Sequence, residues 1–327
     1  MDVTRRTETK PSLVFAIIGV FWLAAAIALS TVEAPGRLVI DSPDPTPRGY
    51  TWSLAFFLLP LTAIAVWLRL QHRDKPHHRA FWVSLLLLIP LGFGLDIVFG
   101  LLFFTFENTG ATLGVHFWAL DWQTHSFVRE LPIEEFGFYG FGFAAIVAGY
   151  VWCDLYFLDR YATDDHQEHE GAIVRFSPVA LLVGVALSVA AILYKKFGNH
   201  PYHEGFPGWM VFLIWIGLTP AIGLYKSTAP LINWRALTIV VALLTFVSVI
   251  WEATLAVPYS WWGYVPEQMV GVFIGAWSGL PLEQPILWVM ISFTSVIIFE
   301  TVRLVLHKRE RLSVYRALFG GPEVADD

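Results

Sequence analysis

Cysteine and charge are both scarce in this chain, and each shortage excludes something. Cys153 is the single cysteine among 327 residues, so no internal disulfide and no cysteine-based metal site can form. Charged residues make up 15% of the chain, where soluble domains carry about 25%. No Gly-x-Gly-x-x-Gly follows a strand pattern, no phosphate-binding Gly-Lys-Ser/Thr loop occurs, and the basic residues form no continuous face. Nucleotide-binding and nucleic-acid partners are therefore not expected. Neither is a cleavable leader. Arg5, Arg6 and Lys10 precede an apolar run that is long and lacks a small-residue cleavage site before Thr31, so the run is expected to be the first span.

Apolar surface is what the chain has in excess. Hydrophobic residues reach 56%, and they come in blocks of roughly 17–25, the length a helix needs to cross a hydrocarbon layer. The blocks predict helices at 12–30, 51–70, 80–104, 131–153, 178–195, 208–225, 235–256 and 281–306. The expected fold is an all-α polytopic membrane bundle of about eight transmembrane helices. With eight spans both termini share a side, and of the 21 Lys and Arg residues only Arg37, Arg48, Arg129, Lys195 and Lys196 fall on the other. The positive-inside rule then puts both termini in the cytoplasm, and a bacterial inner membrane is the expected location. Trp118, Trp122, Trp261, Trp262 and Tyr264 stand near span ends and are expected in an interfacial aromatic belt.

The chain also resembles itself. Gly19 in IIGVFWLAAAI matches Gly184 in LVGVALSVAAI, Trp52 matches Trp209, and Arg79-Ala80 matches Arg235-Ala236. Asp96 in GLDIVFG matches Glu252 in IWEATLA, and LPIEE at 131–135 matches LPLEQ at 280–284. Three of these matches share an offset of 156 or 157 residues. They predict two four-helix halves, 1–172 and 173–327, joined by the polar linker TDDHQEHEG at 163–171. An even number of spans per half makes this a tandem parallel four-helix repeat, its copies related by an axis along the membrane normal.

Ionisable side chains inside a span are costly and point to function by default. Asp96 lies late in the third span, Glu134 and Glu135 open the fourth, Glu252 lies late in the seventh, and Glu283 opens the eighth. All five fall towards the non-cytoplasmic side, and in each half an acid on one helix faces an acid on the next. The openers have a structural explanation too. Proline suits a first helical position, and Glu two residues later meets free N–H groups and the positive helix end. Asp96 and Glu252 have no capping role to play. Adjacent helical residues point about 100° apart, so at most one of Glu134 and Glu135 faces a given substrate. The second half replaces its second acid by Gln284.

A carboxyl group taken out of water favours its neutral form, and of two close carboxyls one does so further, which yields a proton donor and a base. That suits proton-initiated chemistry on an apolar polyene or terpenoid and asks for no cofactor or metal. Aromatic faces stabilise cations. Phe136, Phe138, Tyr139, Trp118, Trp262 and Trp288 are nearest to the acids in sequence, although most aromatics in a membrane protein simply pack or anchor.

A span ending in Trp-Glu or an equivalent acid, a loop with Trp-x-Tyr and glycine, then Leu-Pro-x-Glu-Glu/Gln, resembles the lycopene cyclase domain. The second half carries it as IWEATLAVPYSWWGYVPEQMVGVFIGAWSGLPLEQPILW at 250–288, the first as GLDIVFG followed by LPIEEFGFY at 131–139. The resemblance implies a fused pair of small membrane cyclase domains and cofactor-independent closure of a lycopene end group to a β-ring. Matched by motif, it implies Glu134 or Glu135 as the acid with Asp96 as partner, and Glu283 and Glu252 as their second-half equivalents. Leu95 stands where the pattern has tryptophan, the first loop is longer, and Gln284 breaks the acid pair.

Other classes leave weaker marks. DDHQE at 164–168, with Asp154 and Asp159 upstream, imitates a Mg-diphosphate cluster, but a membrane prenyltransferase needs a second cluster and the second half has none. His166 with His169, and His200 with His203, have metal-like spacing but lie in polar connections, where a solvated loop is the simpler explanation. A carotenoid- or lipid-binding or transport protein is the non-catalytic alternative, because parallel repeats and midplane acids also occur in transporters.

Overall fold

The computed structural model describes residues 46–71, 77–158, 171–309 and 312–320. The span expected at 12–30 and nearly all of the linker at 163–171 lie outside the described residues. Within them the chain is mostly helical, and seven helices are long and apolar enough to cross a membrane. A short helix α1 (Gly49–Ser53) leads into α2 (Ala55–Gln71), followed by α3 (His77–Phe103) and α4 (Ile133–Trp152). Then come α5 (Pro178–Phe197), α6 (Gly208–Thr228), α7 (Trp234–Trp251), α8 (Glu283–Lys308) and a short α9 (Val314–Phe319). α5 and α7 start where the sequence supplies a capping oxygen: Ser177 accepts from the Ala180 N–H, and Asn233 from the Ala236 N–H. α4 and α7 each run on into a π-helical turn, Cys153–Phe157 and Glu252–Ala256.

α4 and α8 form the centre and pack on each other. α2 and α3 lie on α4, α6 and α7 lie on α8, α3 reaches α8, α7 reaches α4, and α5 packs on α6. Ile146 and Val147 of α4, Val240 of α7 and Val296 and Ile297 of α8 fill the core between them. Leu59, Leu86, Leu91, Val179 and Leu182 instead point outward and are exposed. Apolar residues on both faces are what a helix between protein and lipid requires.

Both Leu-Pro pairs begin as strand rather than helix, which is why the fourth and eighth helices start two residues later than the sequence suggests. Strand β1 (Phe104–Thr105) pairs antiparallel with β4 (Gly263–Tyr264), β2 (His116–Asp121) with β3 (Ser126–Pro132), and β5 (Phe273–Ile274) with β6 (Leu280–Pro281). At the β2–β3 tip, the Thr124 hydroxyl and the Gln123 N–H donate to Asp121 and hold its carboxyl below the ordinary range. The β1–β4 pair ties the connection after α3 to the one after α7.

That tie changes the expected aromatic belt. Trp118 and Trp122 are exposed, as a belt requires, but Trp261 and Trp262 turn inward and are buried. Gly49 permits this, since a Cβ there would come within 2.5 Å of the Trp261 ring.

At the opposite end of the bundle, a polar network holds α4, α7 and α8 together. Arg303 donates to both oxygens of Glu300 at 3.0 and 3.1 Å, and the Tyr150 hydroxyl donates to Glu300 at 2.9 Å. The Asn233 N–H donates to that hydroxyl at 2.9 Å, and its side-chain amide to Asp154 at 2.8 Å.

Candidate active site

The two Leu-Pro-x-Glu segments are built alike. Leu131 and Pro132 pair with Phe117 and His116, and the Ile133 N–H donates to the Val115 carbonyl at 2.9 Å. Leu280 and Pro281 pair with Ile274 and Phe273, and the Leu282 N–H donates to the Val272 carbonyl at 2.9 Å. The next residue repeats the match. Glu134 accepts the Leu113 N–H at 2.7 Å and Glu283 the Val270 N–H at 2.5 Å. Each of these carboxylates therefore pins the loop that precedes its own helix. Glu134 also accepts from Thr51 at 2.5 Å, and in both residues the other oxygen is buried without a partner.

Glu135, one residue on, points elsewhere. It lines a partly open cavity, about 660 Å³ when the space at its mouth is counted, whose walls are Phe138, Tyr139, Trp251, Trp262 and their neighbours, and Glu252 lines the same cavity. The two carboxyl groups, one at the start of α4 and one at the end of α7, are within electrostatic reach of each other. Tyr50 donates to Glu135 at 2.6 Å, Ser248 to Glu252 at 2.5 Å, and Tyr264 to the other oxygen of Glu252 at 2.7 Å. Loss of water and the neighbouring Glu252 push the Tyr264 hydroxyl well above the ordinary phenol range, so it stays protonated as a donor.

Trp251 and Glu252 both line the cavity although they are adjacent. On a regular helix such neighbours diverge by about 100°, and the π-helical turn that opens at Glu252 departs from that geometry.

The remaining candidates fall into place around this cavity. Asp96 is buried on α3, with the Tyr139 hydroxyl turned to it and Glu135 within electrostatic reach. Phe138, Tyr139 and Trp262 line the cavity. Trp288 lies behind it, stacked on Phe57 at 5.2 Å, with its indole N–H turned towards Glu252 but short of hydrogen-bonding geometry. Phe136 and Trp118 are exposed and outside the lining. Of the acid pairs expected within each half, Glu135 does lie within reach of Asp96, and the cavity additionally brings Glu135 together with Glu252 of the other half. Glu283 lies by Lys195 rather than in the cavity.

Tyr50, Phe104 and Phe106 belong to the site without having stood out in the sequence, while Trp251 and Trp209, noted there only as part of a motif and of a repeat match, also line it. Tyr50 reaches Glu135 across 85 residues, and nothing local in GYTWSL announces it. Gln284 also lines the cavity, one residue after Glu283, as Glu135 does after Glu134.

Among the described residues no group of three or more His, Cys, Asp or Glu is placed to hold a metal ion. His200 stacks on His203 at 4.7 Å, and its two ring nitrogens face the Tyr194 carbonyl and the Tyr202 N–H. Asp154 is engaged by Asn233, while DDHQE, Asp159, His166 and His169 lie outside the described residues. No protein-family model, no curated sequence and no solved structure matches the chain. Two carboxyl groups in one aromatic-walled cavity, one to give a proton and one to take it, can perform acid–base chemistry on an apolar guest.

Proposed function

We propose that this chain is an integral-membrane terpenoid cyclase, closing the end group of a linear polyene such as lycopene by proton transfer without a cofactor. Glu135 and Glu252 lining one cavity carry the proposal, and the resemblance of 131–139 and 250–288 to the lycopene cyclase domain supports it. Glu135 gives its proton to C2 of the terminal C1=C2 bond. The C1 cation is attacked by the C5=C6 alkene, a C1–C6 bond forms, and the charge passes to C5. Loss of the C6 proton to Glu252 leaves the β-ring; Glu252 then releases that proton to water and Glu135 takes up another from water, which resets the pair. Phe138, Trp251 and Trp262 offer ring faces to the cation on its way.

The site is composite because the protein is two parallel copies of one unit. The matching bonds around Glu134 and Glu283, and the like packing of α2, α3 and α4 with α6, α7 and α8, favour this. The bias of basic residues towards one end puts the termini in the cytoplasm and the cavity near the other face of a bacterial inner membrane.

The test is to reconstitute the full chain in lycopene-loaded liposomes in D₂O, with neither flavin nor metal. Cyclised product carrying one deuterium per ring is expected, read by chromatography and mass spectrometry. Unchanged lycopene held tightly by the protein would instead make it a pigment-binding protein. Activity appearing only with Mg and a prenyl diphosphate would make it a prenyltransferase.

A further inference from the structure

A second opening lies between α2, α3 and α4, at the end of the bundle away from the carboxyl cavity. It is an open groove of about 870 Å³, counting the space at its mouth, with Arg69, His77 and His78 among its lining and Phe81, Val151 and Leu155 in its wall. No acid lines it among the described residues.

The second half closes the corresponding place. Tyr225, Trp234 and Phe293 surround one another with ring centroids 6.3 to 6.4 Å apart. The positions that match them, at the offsets of 157, 156 and 149 residues seen elsewhere in the chain, hold Leu68, His78 and Ala144. An aromatic plug in one half is thus a basic-rimmed groove in the other.

We infer that this groove holds one acidic phospholipid. Its phosphate sits among Arg69, His77 and His78, and an acyl chain lies along Phe81, Val151 and Leu155. Basic pockets between spanning helices suit anionic headgroups, and among the described residues the groove lies at the end of the bundle that also carries Lys226, Arg235, Arg303 and Lys308. A free phosphate would leave the apolar wall uncovered, and a zwitterionic lipid would bring no net charge to the rim.

The experiment is native mass spectrometry of the full chain after incubation with equal amounts of phosphatidylglycerol and phosphatidylcholine. One retained phosphatidylglycerol per chain is expected. Arg69→Gln should lower its retention about fivefold, the weight of one basic residue at an anionic surface. Ala65→Trp, which fills the groove from an exposed position on α2, should abolish it, while Arg235→Gln, outside the groove lining, should leave it unchanged. Equal retention of both lipids, displacement by millimolar inorganic phosphate, or retention unmoved by Arg69→Gln and Ala65→Trp in correctly folded protein would each overturn the assignment. So would an intact wild-type protein retaining no lipid, because the groove would then be filled by the protein's own chain.

Discussion

Buried carboxyl groups gather at both ends of this bundle, and their surroundings differ. At one end Glu300 has a guanidinium and a phenol, and Asp154 has an amide. At the other end, Asp96, Glu135 and Glu252 receive only hydroxyl donors among the hydrogen bonds described, and Glu135 and Glu252 border empty space. A carboxylate saturated by an arginine is architecture. Carboxyls gathered beside a cavity without a counter-cation cost the fold something and are the ones to suspect of work.

Three substitutions would break or sharpen that contrast, taken from the largest expected effect to the smallest. Glu135→Gln keeps the shape of the cavity wall and removes its acid, so turnover in the liposome assay should fall about 10²–10⁴-fold, with the thermal midpoint close to wild type. Full activity would move the acid role elsewhere. Arg303→Met should do the reverse and cost about 3–5 kcal/mol of stability by leaving Glu300 buried without its cation. Thermal unfolding in detergent would show it, and Arg303→Met with Glu300→Leu should recover most of the loss. Glu134→Leu strips the acceptor from the Leu113 N–H and the Thr51 hydroxyl, a loss of about 1–3 kcal/mol. Turnover should drop less than in Glu135→Gln, and an equal drop would erase the distinction between the two neighbours.

Much of this was legible in the sequence. Hydropathy blocks placed, within a few residues, each of the seven described helices long and apolar enough to cross a membrane, because length and apolarity are what a bilayer selects. The 100° between neighbours required Glu134 and Glu135 to part, but not which would face the cavity. That is decided by Leu113 and Tyr50, far away in the chain. The four shortest strands were invisible for a different reason. Two-residue pairs such as Phe104–Thr105 with Gly263–Tyr264 have no periodicity to detect. They nevertheless bring Trp262 inward from an expected belt and place Tyr264 on Glu252. Pairing each acid with the acid of the next helix missed the meeting of Glu135 and Glu252, since the packing of α7 on α4 leaves no local trace.

The π-helical turn at Glu252–Ala256 has one more consequence. It makes the cavity depend on the length of the chain there as well as on its composition. A substitution at Thr254, whose exposed side chain bonds only the Ile250 carbonyl one turn back, touches little else. Deleting any one residue of the turn would wind the segment back towards a regular helix and swing the connection that follows by about 100°. Trp262 and Tyr264 would then lose their registration with Glu252. An insertion or deletion at this point would therefore be purged where many replacements pass, and a constant spacing from Trp251 to Tyr264 is a more telling mark of a working relative than identity at the residues between.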